Sequence, residues 1–151
     1  MIDSDDILFL KHKAATARSK AQRFAQAMAE CAAQPFFRDA GVALENSAGK
    51  DILLALSTPT SLGRLRAAWA GSPKDLVGVL VVERVQLDKY DRDRWDTVLS
   101  IGLHDDGRVS FHSALEGLVE SALADDDEAK GGPWEALMLA VYYLSRFSDL
   151  R

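Results

Sequence analysis

One cysteine, four prolines and no run of about twenty apolar residues are the clearest shortages of this chain, and each excludes an architecture. Cys31, being alone, cannot close an internal disulfide. It lies among Ala29, Ala32 and Ala33 in a helical pattern, with no neighbouring His or Lys pattern to lower its pKa, so it reads as a small buried hydrophobe. Without a long apolar run, no helix is expected to span a membrane. Residues 1–6 hold three acids and no basic group, which argues against a secretory leader and makes the cytoplasm the expected compartment. Histidine is scarce too. Of His12, His104 and His112, the last two fall two cross-strand pairs apart on the hairpin expected at residues 95–113, with no Cys or third suitably placed His to complete a zinc site. No repeat or low-complexity linker divides the 151 residues, a length that suits one domain spanning 1–151.

What is present is mostly pattern. In residues 95–113, Trp95, Leu99, Ile101 and Leu103 alternate with polar residues on one strand, and Val109 and Phe111 do so on the next. Asp105, Asp106 and Gly107 separate the strands. A three-residue loop closed by Gly107 in the left-handed conformation sets Leu103 against Val109 and Ile101 against Phe111. His104 with Arg108, Gly102 with Ser110, and Ser100 with His112 then line the other face. Upstream, strands are expected at residues 41–45, 52–56, 62–69 and 76–87, with turns at 46–49, 58–61 and 71–73. Glu83 interrupts the odd-numbered apolar set of the 76–87 strand. Either a bulge near Glu83 and Arg84 shifts the phase, or the carboxylate points inward and needs Arg64 or Arg66. The bulge or a surface position is the favoured expectation.

The two ends read as helical. Asp3 or Ser4 caps a long amphipathic helix whose stripe runs through Ile7, Leu10, Ala14, Ala17, Ala21, Phe24, Met28 and Cys31 and stops near Gln34, before Pro35. Its alanine-rich middle favours close docking on a sheet. Ser113 and Glu116 have the spacing of a capping box, so a second helix is expected from Ser113 through Leu118, Val119, Ala122 and Leu123. An acidic loop at 125–128, closed by Gly131 and Gly132, leads to a last helix opened by Pro133, in which only Glu135 is charged between Trp134 and Leu144. The expected fold is α+β: a long N-terminal helix, an antiparallel meander of about five strands, and two C-terminal helices packed on one sheet face.

Chemistry-bearing patterns are weak. Asp88, Asp91, Asp93 and Asp96 are interleaved with Lys89, Arg92 and Arg94 and lack the glycine and terminal glutamate of a calcium loop. Ser113 with His112 and Glu116 does not form a triad, because adjacent strand residues face opposite ways. Gly49 and Lys50 lack the rest of a phosphate loop. No cofactor, metal or catalytic set is therefore expected. Arg64, Arg66, Arg84, His104, Arg108 and His112 are placed together on the polar sheet face, either as a hydrated surface with scattered ion pairs to residues such as Glu83, the favoured expectation, or as candidate residues for an acidic protein or a phosphate backbone. The leading expectation is a non-enzymatic protein-interaction module, an adaptor, inhibitor or immunity-type protein, with a protein partner or a second copy of itself. The alternative is a small-molecule binder or enzyme with a pocket between sheet and helices, using Glu83, Tyr90, Tyr142 and Tyr143. The net charge of −5 disfavours nucleic acid, although Lys11, Lys13, Arg18, Lys20 and Arg23 form an acid-free basic stripe that keeps it as a third reading.

Overall fold

The computed structural model describes residues 3–47, 52–72, 75–119 and 132–147. Helix α1 (Ser4–Ala32) begins at a capping box formed by Asp3 and Asp6, each side chain accepting from the other's backbone N–H. A five-residue helix α2 (Pro35–Asp39) follows, with Pro35 in its first turn. Seven strands then run as one antiparallel meander in chain order: β1 (Ala43–Asn46), β2 (Ile52–Ser57), β3 (Leu62–Ala70), β4 (Val77–Leu87), β5 (Asp93–Leu103), β6 (Val109–Ser113) and β7 (Gly117–Val119). Helix α3 (Pro133–Phe147) closes the described chain. The α+β expectation holds, with more strands than expected and one C-terminal helix among the described residues.

Both long helices lie on the same side of the sheet, and glycine makes their approach tight. A Cβ on Gly78 of β4 would come within 2.9 Å of the Ala17 carbonyl of α1, and one on Gly63 of β3 would meet the Leu144 side chain of α3 at 3.0 Å. The matching seam of α1 is small: Ala17, Ala21, Ala25, Met28 and Ala32 are its buried residues. Leu54, Leu56, Leu65, Leu80, Val82, Leu99, Ile101 and Phe111 supply the sheet side of the core, and Ala136, Leu137, Ala140 and Leu144 the α3 side. Phe37 of α2 packs edge-on to Trp134 at 4.7 Å between ring centroids.

The hairpin register is as expected. Leu103 faces Val109, Ile101 faces Phe111, and Gly107 takes φ of 86° to close the turn. Two expectations nearby are corrected. Val82 pairs with Leu99 but Glu83 pairs with Thr97, so Val98 is an extra residue in β5. A bulge does sit beside Glu83, but in the neighbouring strand, so β4 keeps its alternation while β5 changes phase. Trp95 therefore lies on the side away from the helices, opposite to Leu99. The second correction concerns Ser113, which starts a tight turn into β7 rather than a helix. Its Oγ accepts from the N–H groups of Leu115 and Glu116 at 3.0 and 3.4 Å, and Gly117 turns the chain at φ of 72°. A hydroxyl that can cap a helix can satisfy the same donors in a turn. Ala122, Leu123 and the acidic loop at 125–128 fall outside the described residues.

Candidate functional site on the open sheet face

The face turned away from α1 and α3 is built from the alternate residues of the same strands. Arg64 on β3 stands directly across from Glu83 on β4, and Arg66 stands across from Val81, one diagonal step away. Both arginines reach the same oxygen: Nε of Arg64 donates to Glu83 Oε1 at 2.9 Å and Nε of Arg66 at 3.0 Å. The Glu83 side chain is 8% exposed beneath Arg64 and Arg66 side chains that are 20% and 36% exposed. Glu83 is thus buried by its partners, not by a helix. Because it faces away from the helices, it contributes nothing to a pocket between sheet and helices. The bulge at Val98 brings Trp95 into this group, with the Arg64 guanidinium 3.9 Å from the ring centroid. Val79 and Val81 lie on the same face.

Two cations against one carboxylate leave one positive charge on an otherwise acidic chain. Among the described residues each guanidinium donates through Nε alone, and its Nη amines have no hydrogen-bond partner there. Arg94, by contrast, is paired with Asp96 at 3.0 Å.

The other expected site residues are scattered. His104 shares the open face, its Nε2 2.9 Å from Ser110 Oγ, and exposed His112 lies opposite Ser100. Exposed Arg108 sits at the end of that hairpin, where its backbone N–H donates to Asp106. Arg84 does not belong to the face. It pairs with Gly63, alternates with Glu83 and is buried on the helix side, 5% exposed. Unbroken alternation along β4 decides this.

Of the tyrosines, Tyr90 and Tyr142 are exposed, whereas Tyr143 is buried and donates to Glu116 at 2.8 Å. That bond and the Arg146 guanidinium, which also donates to Glu116, hold its carboxyl below the ordinary range. Burial and the same carboxylate push the Tyr143 hydroxyl up. The basic stripe of α1 is partly used within the fold: Lys20 donates to the His104 carbonyl, and Lys13 and Lys20 each lie 3.6 Å from Asp105. Asp88 is tied into its own loop by the N–H groups of Tyr90 and Arg92, and the backbone bond from Arg92 is the main reason its pKa is lowered. No metal-ligand cluster occurs among the described residues. No described helix is long and apolar enough to cross a membrane. Comparison with protein-family models, curated proteins and solved structures gives no significant match.

The residues that sequence reasoning missed are Trp95, Glu45 and Asp93. All three border a cleft of about 420 Å³ on the open face, with Ala55, Ser57, Leu62 and Val85. The alternation of β5 would have shown Trp95 only to a reader who knew of the bulge.

Proposed function

We propose that the chain is a non-enzymatic protein-interaction module that binds through its open sheet face, as an adaptor, inhibitor or immunity-type protein would. The observation that carries this reading is the pair of arginines anchored to one carboxylate, with their outer amines unengaged by any described residue. A guanidinium already fixed by Glu83 loses little side-chain freedom on binding, which lowers the cost of association. Arginine and tryptophan match the composition of interface centres, where a few such residues carry most of the energy. The complementary group on the partner is a carboxylate, which guanidinium donors recognise in a bidentate way. A second copy of the chain is one way of presenting it.

The test compares tagged wild-type protein with Arg66→Ala in capture from source-cell lysate treated with nuclease. A stoichiometric protein held by the wild type and lost by Arg66→Ala, with an unchanged thermal midpoint, supports the reading. Equal retention by both removes the arginine pair from the interface.

A further inference from the structure

The cleft beside Trp95 has a chemistry opposite to that of the arginine pair. Its walls are apolar: Ala55 and Leu62 are exposed, and Val85 and Trp95 are half-buried. Two carboxylates border it from strands at opposite ends of a five-strand stretch, Glu45 on β1 and Asp93 on β5. Both are exposed, and neither makes an ion pair or side-chain hydrogen bond with any described residue. Some acids elsewhere on the surface are engaged, Asp88 with Arg92, Asp96 with Arg94 and Asp105 with Lys13 and Lys20, while Asp5, Glu30 and Asp91 lack an ion pair among the described residues as these two do. The nearby Arg64 shares Glu83 with Arg66, so the cluster keeps one positive charge, and the flat face of Arg64 is spent on the indole.

We infer that this cleft receives a lysine side chain of the partner, its methylene stem laid along Val85, Leu62 and Trp95 and its ammonium drawn to the acidic margin that Glu45 and Asp93 give the cleft. An apolar trough with acids at its margin suits a long stem ending in a charge, because lysine buries its methylenes while its head stays hydrated. The volume falls within the range of binding clefts. The inference rests on the interaction-module reading for the source of the lysine. The partner segment then carries both signs, an acid over the arginines and a lysine in the cleft, which sets its register on the face.

The cleft can be tested without the partner. The indole N–H resonance of Trp95, assigned by its loss in Trp95→Phe, is followed while N-acetyl-lysine methylamide is added. The uncharged isostere N-acetyl-norleucine methylamide is added in a parallel titration. The expected result is a saturable shift with the lysine compound, at least fivefold weaker binding by one or both of Glu45→Gln and Asp93→Asn, further weakening with added salt, and no saturation with norleucine. Equal binding of both compounds, no shift with either, or unchanged binding by both variants overturns the inference. Capture of a partner does not enter this readout, so its outcome is distinct from that of the Arg66→Ala comparison.

Discussion

The two faces of one sheet are made by alternate residues of the same strands, yet they are buried by different means. On the helix side Leu65, Leu80, Val82, Leu99 and Ile101 are each fully buried against α1 and α3. On the open side Glu83 and Val81 are nearly as inaccessible, but Glu83 lies beneath the long side chains of the face itself. Burial alone therefore does not separate core from site in this molecule. What separates them is the identity of the cover: aliphatic packing is non-directional, whereas a buried carboxylate needs fixed donors, and those donors then stand ready for a ligand.

The comparison can be broken from the core side first. Leu80→Ala removes a fully buried side chain at the centre of the helix face and should cost about 2–5 kcal/mol in urea unfolding, cavity included. A loss below about 1 kcal/mol would show that this face is not the tight one. On the open face, Glu83→Gln leaves two guanidiniums without their anion and should cost about 2 kcal/mol, the scale of lost charge-assisted hydrogen bonds. A neutral result would mean that the arginines hold themselves. Gly107→Ala should cost about 1 kcal/mol, because φ of 86° strains any L side chain even though no atom would crowd the added methyl. Lys20→Ala, which loses an ion pair to an exposed Asp105, should lie within about 1 kcal/mol of wild type and shrink further in high salt.

The edge formed by Glu116, Tyr143 and Arg146 adds a pH dependence. The Glu116 carboxyl has a lowered pKa in the fold, so its contribution is present above the ordinary carboxylate pKa and is lost as pH falls through the folded value. Glu116→Gln should therefore flatten the acid limb of the stability curve. A limb as steep as that of the wild type would assign it to other carboxylates.

Much of the fold was legible because period-two alternation and turn chemistry agreed. Residues 99–113 show this: hydrophobic register and Gly107 selected one pairing, and that pairing is the observed one. The site was less legible, for three physical reasons. A single inserted residue, Val98, moved Trp95 to the other face without leaving a composition signal. The Ser113 and Glu116 spacing suits a helix cap and a hydroxyl-stabilised turn equally, and Glu116 is instead drawn to Tyr143 and Arg146. Arg84 looked like a member of a basic face because arginine is rarely buried, whereas strict alternation in β4 places it beneath the helices. For Glu83 the favoured expectation, a bulge in its own strand or a surface position, fails, and the less favoured one, a buried carboxylate partnered by Arg64 or Arg66, supplies the partners that are observed.

The most direct test of the claim that the ion cluster serves recognition and not folding is the triple variant Arg64→Met, Arg66→Met, Glu83→Leu, measured by urea unfolding. Replacing a buried ion cluster by apolar groups of similar size is commonly neutral or stabilising. The account predicts stability within about 1 kcal/mol of wild type or above it, in contrast to the loss from Glu83→Gln alone. A loss of about 3 kcal/mol or more would contradict it and make the cluster a structural requirement of the sheet.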